Sequence, residues 1–311
     1  MSDQVLVIPH IKVQNANALS SPFTIGFPAM TAWLGAVHAL QRKLNRALNL
    51  EGESVVRFQG VGVVSHQFDL QTYKGPGDYE YSIVGTANPL DHTGSRPAFI
   101  EEARCHLEVS LVIQCDGIAK LQEQLVSEQL SKLLSGHMKI AGGDILNYRD
   151  PKFFRDFEQL KKYIMPGYAL VERRELMIEA MQQGQDALDA LIDYLAVHHR
   201  CEQIEDNGET KVAWHSQRKS TGPDGQRGWI VPIATGFQAI SDPGIAKNQR
   251  DPEIPHCFAE TVVTLGEFVM PYQLQSLDQL LWRYHFDAES NLYLCQQRQA
   301  NTSTMLSEDG F

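Results

Sequence analysis

Apolar positions near the start of the chain change from a nearly continuous run to a helical period. Residues 5–13 are mostly apolar, which is typical of a strand that is covered on both faces. Apolar residues then recur every three or four positions from Met30 to Leu48, which predicts an amphipathic helix. Pro28 favours a helix start here, because a residue in the first turn needs no N–H. A buried strand followed by a helix therefore opens the chain.

Two further segments have the composition of strands. Residues 54–70 are rich in valine and aromatic residues and contain two glycines, which predicts a strand with a bulge or a close backbone approach. Residues 103–115 alternate apolar and polar side chains, and only Val112 breaks the alternation. This period of two predicts a half-buried strand.

A helix and a fourth strand follow. Asp116 is expected to cap a helix that reaches about Leu134, with Leu121 and Leu125 facing inward. Residues 137–146 are predicted to form a strand interrupted by two glycines. The order βαββαβ predicts an α+β fold of the ferredoxin-like, or RNA-recognition-motif-like, type over residues 1–149. This fold hosts many functions, so it identifies none by itself.

The rest of the chain is predicted to form two more parts. Residues 150–204 are interpreted as a helical segment, in which 172–199 form one regular helix despite Gly184. Residues 205–311 are interpreted as a β-rich C-terminal region. In it, strands at 211–217 and 229–237 are predicted to pair as a hairpin around a Gly-Pro-Asp-Gly turn.

Charge and cysteine content restrict the function classes. The formal net charge is −11, which argues against a chain that captures nucleic acid alone, although a local basic patch or shared binding in an assembly stays open. Five widely spaced cysteines without a C-x-x-C pair suggest neither a zinc site nor a disulfide framework. No apolar run approaches the ~20 residues of a membrane span, and no signal peptide is visible. We therefore expect a cytoplasmic protein without a membrane partner.

The loop between the first strand and the first helix is rich in hydrogen-bonding side chains. They are Asn15, Asn17, Ser20, Ser21 and Thr24. Donors close to a helix N-terminus suit a phosphate group. Every αβ connection carries capping residues, however, so on geometry alone an ordinary connection is favoured.

The pair Gly142 and Gly143 allows two interpretations. Glycines without a Cβ would let the backbone approach RNA closely, or they would form a strand-end bulge. The residues by themselves support both interpretations about equally.

A second candidate site lies in the predicted C-terminal hairpin. Arg218, Lys219 and Arg227 accompany Trp214 and Trp229, and cations with aromatic rings suit single-stranded RNA. The alternative is a solvated hairpin with its tryptophans in the core, which is the favoured interpretation for Trp229.

Catalytic and metal-binding motifs are absent from the sequence. No HExxH, GxSxG or P-loop pattern occurs, and histidines such as His66 and His215 lie in no recognisable constellation. We therefore expect no catalytic residue, no metal ligand and no cofactor.

Several segments together resemble a known family. The run IPHIKVQNANALSSPFTIGFPAMTAWLGAVHALQRKL is similar to the opening of the second Csy subunit of the type I-F CRISPR surveillance complex. PGYALVERREL, GWIVPIATGF, FAETVVTLGEFVMPYQL and LLWRYHF resemble the same family in the same order, up to about residue 296. The resemblance thus covers nearly the whole chain.

The resemblance implies a non-catalytic subunit for antiviral defence. Such a subunit would bind the 5′ handle of CRISPR RNA, pair with the large Csy subunit and abut the adjacent backbone subunit. It would meet target DNA only through the complex. Related proteins use a glycine-rich loop near the position of Gly142 and Gly143, which favours RNA contact there.

Two alternatives stay open at this point. One is a metal-independent endoribonuclease that processes precursor CRISPR RNA, as some relatives in other CRISPR types do. In the type I-F family that task belongs to a different protein. The other is a purely structural subunit without RNA contact.

Overall fold

Three long antiparallel strands carry most of the apolar core. The apolar run near the start of the chain is β1 (Val5–Asn17), which pairs with the alternating strand β7 (Arg104–Asp116). On its other side β7 pairs with β4 (Arg57–Leu70). The computed structural model describes residues 4–52, 55–85, 90–95, 102–206, 209–219 and 228–297.

Five α-helices are assigned in the described ranges. They are α1 (Met30–Ala47), α2 (Glu123–His137), α3 (Phe157–Tyr163), α4 (Arg174–Gln182) and α5 (Ala187–Leu195). Short 3₁₀ turns cover Lys120–Gln122, Pro271–Gln273 and Leu277–Gln279. In the described ranges, no helix combines the length and the apolar character needed to cross a membrane.

The remaining strands are mostly short. They are β2 (Leu19–Ser21), β3 (Thr24–Ile25), β5 (Thr72–Tyr73), β6 (Ser82–Ile83), β8 (Lys139–Ile140), β9 (Gly143–Asn147), β10 (Lys152–Phe154), β11 (Tyr168–Glu172), β12 (His198–Asp206), β13 (Glu209–Gln217), β14 (Trp229–Ala239), β15 (Ala259–Val269), β16 (Trp282–Asp287) and β17 (Leu292–Gln297).

The chain is a mixed α/β protein built on a large antiparallel sheet. In its N-terminal half the strand order is β4-β7-β1-β9, and every neighbouring pair is antiparallel. α1 buries Met30, Trp33 and Leu34 against this sheet, and α2 adds Val126 and Leu130 to the same core. The period of the apolar residues therefore predicted the buried faces of β1, α1 and β7 correctly.

The same sheet continues into the C-terminal half through β4. Its order runs β11-β15-β14-β17-β16-β4, and β11 also pairs with β4. The six strands from β4 round to β11 therefore form a closed ring of pairings. β10 meanwhile pairs with β1. These pairings join strands on both sides of the predicted boundaries at residues 149 and 204. The division into three parts stays a prediction.

The predicted continuous helix over 172–199 is wrong. β11 ends at Glu172, and α4 and α5 are separate helices that precede β12. Gly184 has a φ of 89°, which suits a residue after a helix end rather than inside a helix. Asp186 then caps α5, because its side chain accepts a hydrogen bond from the Leu188 N–H. The apolar stripe was continuous, and the break came from this local capping.

The predicted pairing of residues 211–217 with 229–237 is also wrong. β13 pairs with the preceding strand β12, whereas β14 pairs with β15 and β17. The Gly-Pro-Asp-Gly turn itself lies outside the described residues.

Two leucines that were expected to face inward near α2 are exposed instead. The helix begins at Glu123, and Leu121 and Leu125 are both exposed.

Candidate nucleic-acid interface

The end of β1 and the Gly142–Gly143 turn lie directly against each other. The Asn17 N–H donates to the Ala141 carbonyl at 2.8 Å. A Cβ on Gly143 would lie 2.7 Å from the Gln14 carbonyl oxygen, so the strands could not pack this closely with another residue there. Close packing of β9 against β1 therefore explains Gly143, which pairs with Ile140 without a bulge. Gly142 has a φ of 76°, is exposed and has open space beside it, so its backbone is accessible to a ligand.

Asn15 lies at an irregularity where β1 shifts its register against β7. Its φ of 57° falls in the left-handed region, which asparagine tolerates better than most residues. The Gln71 side-chain amide donates to Asn15 Oδ1 at 2.6 Å, and the Asn15 backbone N–H donates to His106 Nδ1 at 3.4 Å. Arg104 Nη1 donates to the Asn15 carbonyl at 3.4 Å. Together these four residues, called the Asn15 cluster below, form a polar surface beside Gly142.

The other polar residues of the opening loop form a small hairpin, β2–β3, rather than a loop that leads straight into α1. Both the Ser20 and Ser21 hydroxyls contact Thr24 Oγ1, at 2.9 and 2.7 Å. Ser21 and Thr24 are buried. The Asn17 side chain bonds both backbone groups of Leu19. The N-cap of α1 is Ala29, without a side-chain cap. Four of the five residues therefore shape the hairpin, namely Asn17, Ser20, Ser21 and Thr24.

The basic candidates of the C-terminal region lie elsewhere in the fold. Lys219 Nζ is 2.6 Å from Asp193 Oδ2 and 4.3 Å from the ring centre of Tyr194, so it is held against α5. Arg218 is exposed just after β13. Arg227 lies outside the described residues. Within the described part of the chain, no hydrogen bond connects Arg218 or Lys219 to the Asn15 cluster.

A histidine pair that the sequence did not reveal lies on the face of β1, β4 and β7. The rings of His10 and His66 stack with their centres 4.2 Å apart. His66 Nδ1 lies 2.6 Å from the Pro166 carbonyl, and Nε2 lies 2.6 Å from Ser110 Oγ. Glu108 lies 2.6 Å from His10 Nδ1. The two histidines are far apart in sequence, so only strand pairing could reveal them.

These contacts occupy both ring nitrogens of His66, and Ser110 is 1% exposed. The Ser110 hydroxyl therefore cannot reach a substrate from this position. Across the described ranges, no group of three His, Cys, Asp or Glu side chains converges on a possible metal position.

Acidification should destabilise the protein through His66. Burial lowers the pKa of His66 below its ordinary value of 6.5, against the opposing effect of the hydrogen bond to Pro166. The unfolded chain then binds this proton more readily than the folded chain does. The free energy of unfolding should therefore fall as the pH drops below about 6.5. Urea unfolding measured between pH 5 and 8 gives this dependence.

His66→Gln should flatten the pH dependence in this window. His38→Gln is the matched control, because His38 is exposed on α1. An equal pH dependence in wild type and His66→Gln would show that another group is responsible.

Two comparisons with known proteins identify the family of the chain. The family described as CRISPR-associated protein (Cas_Csy2) matches residues 6–295. The chain is also similar to the CRISPR-associated protein Csy2 of Pseudomonas aeruginosa (strain UCBPP-PA14), at 33% identity over 322 aligned residues, covering 94% of each chain. Both matches extend across the N-terminal sheet and the C-terminal ring of strands. The chain therefore belongs to the Csy2 family of CRISPR-associated proteins, the family of a type I-F Csy complex subunit.

Proposed function

We propose that this Csy complex subunit is non-catalytic and holds the 5′ handle of CRISPR RNA on the surface formed by the Asn15 cluster and Gly142. The observation that carries the proposal is the cluster itself, in which amide, imidazole and guanidinium groups meet beside an open glycine backbone. Unpaired RNA bases expose edges that amide groups can bind as donor and acceptor. A backbone without a nearby side chain lets phosphate approach closely.

The charges around this surface support a proposal in which the chain shares RNA binding with its partners. Lys139 pairs with Asp144 at 2.7 Å, Lys12 lies 3.6 Å from Glu108, and Arg104 pairs with Glu102. Each cation is thus partly neutralised, in a chain of net charge −11. Phosphate neutralisation supplies much of the affinity of RNA-binding proteins. We infer that the large Csy subunit and the adjacent backbone subunit supply the missing positive charge. We further propose that this complex is cytoplasmic and that the chain meets target DNA only through the complex.

We also propose that residues 1–149 form a ferredoxin-like domain. The strand order β4-β7-β1-β9 supports this, with α1 following β1 and α2 following β7. The rest of the chain would then act as an extension that shares β4 with this domain. Such a domain presents a sheet and its loops as a binding surface, as RNA-recognition modules do.

The endoribonuclease alternative finds less support. Metal-independent cleavage needs a general base and a general acid within reach of the substrate. The histidine pair is the nearest approach to such an arrangement, but both nitrogens of His66 already have partners within the protein. We therefore retain the non-catalytic function.

The test is Asn15→Ala in the assembled Csy complex with a guide RNA. The variant should lower the affinity for the guide about fivefold, since each lost hydrogen bond contributes roughly 1 kcal/mol. Filter binding at one salt concentration gives the affinity, and the same samples should leave the RNA intact. Gln124→Ala, an exposed amide on α2, is the matched control.

Thermal melting separates a lost contact from a damaged fold. Asn17→Ala should lower the melting temperature, because the Asn17 side chain closes the turn before β2. Asn15→Ala should lower it as well, because alanine is strained at a φ of 57° and the hydrogen bond from Gln71 is lost. Asn15→Gly removes the same side chain without this backbone strain and should melt closer to wild type. If both variants bind the guide with unchanged affinity, the surface is only a strand end. RNA cleavage lost in His66→Ala would instead favour the endoribonuclease.

A further inference from the structure

The helices α4 and α5 carry more apolar surface than the chain itself covers. Their inner side is buried in one cluster with strands β14 and β15, whose members are Leu176, Ala180, Ala190, Tyr194, Ile230 and Leu265. Four further large apolar residues of these helices are between 44% and 62% exposed, namely Ile178, Met181, Leu188 and Ile192. We call these four residues the α4–α5 face. A connected apolar surface that stays exposed marks an interaction site.

The α4–α5 face continues the buried cluster to the surface. Met181 lies one turn after Met177 on α4, and Leu188 lies one turn before Leu191 on α5. Residues three or four positions apart are neighbours on a helix. Met177 and Leu191 are half-buried and pack against the cluster, and the two helices contact each other. The exposed residues of both helices therefore border one common core.

Uncompensated acidic side chains stand next to this face. Glu179 and Asp189 are exposed, and neither forms an ion pair with another described residue. Each follows a member of the face directly in sequence. Arg174 is the single basic residue of the two helices, and it pairs with Glu172. The border of the face is therefore negative.

The negative border selects among possible occupants. RNA or an anionic membrane would bring like charge to Glu179 and Asp189. A second copy of this chain, paired through the same face, would place its own copies of these carboxylates there. Like charges that meet across an interface are unfavourable. A third helix with an apolar face and basic side chains fits both the apolar residues and the border, in the manner of a helix bound in a groove.

We propose that the α4–α5 face binds a basic amphipathic helix of a neighbouring protein subunit of the Csy complex. Its apolar residues cover Met181 and Leu188, and its lysine or arginine side chains lie opposite Glu179 and Asp189. The face packs on β14 and β15, whereas the Asn15 cluster lies at the ends of β1, β4 and β7. The inference is therefore independent of the proposed RNA contacts.

The first test is the double substitution Leu188→Ser with Ile192→Ser, in a tagged chain that is co-expressed with the other Csy subunits and a guide RNA. Both side chains are already more than half exposed, so the melting temperature of the purified chain should change little. The amount of the other subunits that the chain retains should fall about tenfold, as for residues at the centre of an interface. Leu121→Ser with Leu125→Ser is the matched control, because both leucines are exposed outside the face.

Charge reversal tests the chemistry of the occupant. Glu179→Lys should lower the retention of the other subunits about fivefold at low salt. The loss should shrink as salt is added, because salt screens the interaction. Glu179 lies in the last turn of α4, where a cation is favourable for the helix, so the fold should be unharmed. Glu128→Lys, at an exposed acidic residue of α2, is the control.

Each outcome decides the inference. It is overturned if the double variant retains the other subunits as wild type does. If the double variant melts well below wild type, Glu179→Lys decides alone, and unchanged retention overturns the inference. Increased retention by Glu179→Lys also overturns it, because the occupant is then anionic, as RNA is. A wild-type chain that dimerises alone while the double variant is monomeric would assign the face to a second copy instead. The Asn15 variants test the RNA contacts separately, so either proposal can fail without the other.

Discussion

Trp282→Ala should lower the free energy of unfolding by about 3–5 kcal/mol, as large-to-small changes of buried aromatic residues do. Trp282 is fully buried in the main core at the start of β16. It pairs with Val61 of β4, and its indole N–H donates to the Leu170 carbonyl of β11 at 2.9 Å. Through its backbone pairing and its side chain together, this one residue therefore connects three strands of the closed ring. Urea denaturation followed by circular dichroism measures the loss.

Two variants separate packing from hydrogen bonding at this position. Trp282→Phe keeps most of the apolar volume but leaves the Leu170 carbonyl without its partner, which costs roughly 1–3 kcal/mol. Tyr272→Ala removes an exposed ring and should stay within about 0.5 kcal/mol of wild type. A loss below 1 kcal/mol for Trp282→Ala would show that the ring of strands does not depend on this residue.

Gly143→Ala should destabilise the protein by about 1–3 kcal/mol through overpacking. The new Cβ would lie 2.7 Å from the Gln14 carbonyl oxygen and 2.8 Å from the Ala16 backbone nitrogen. Both contacts are with backbone atoms, so no side-chain rotation relieves them. β9 would have to move away from the bulge in β1 that carries Asn15. The stability loss and a lower affinity for the guide RNA should therefore occur together.

Two neighbouring glycines serve as controls. Gly136→Ala in α2 meets no atom within 4 Å and should be neutral or stabilising by up to ~1 kcal/mol. Gly142→Ala also has space, but its φ of 76° imposes a strain of roughly 1–2 kcal/mol. If Gly143→Ala is as stable as Gly136→Ala, the close packing of β1 and β9 is not rigid.

The candidate site was partly visible in the sequence. Asn15 and Gly142 stand in segments with turn-forming residues, and the structure places both on one exposed surface. Their partners Gln71, Arg104 and His106 carry no motif. They come from the ends of β4 and β7, so only the strand register could bring them to Asn15.

Trp229 shows the opposite limit. It heads an apolar strand, so the sequence pattern favoured a buried ring. That interpretation is wrong, because 59% of its surface is exposed. Burial depends on what covers a side chain, and here the covering side is open. The exposure of Trp229 therefore depends on the tertiary arrangement, which leaves one side of the ring uncovered, and no local pattern encodes that arrangement.

The sequence by itself determined the elements whose period is local and strong. These elements are β1, α1 and β7. The sequence also determined the family, because long segments can be matched to it without knowledge of the fold. Only the tertiary structure decided which strand β13 pairs with, where the 172–199 stripe breaks, and how β4 joins both halves of the sheet. Side-chain periodicity specifies which face of an element is buried. It does not specify the partner strand. Every strand offers the same backbone donors and acceptors, so only the tertiary arrangement selects which two strands pair.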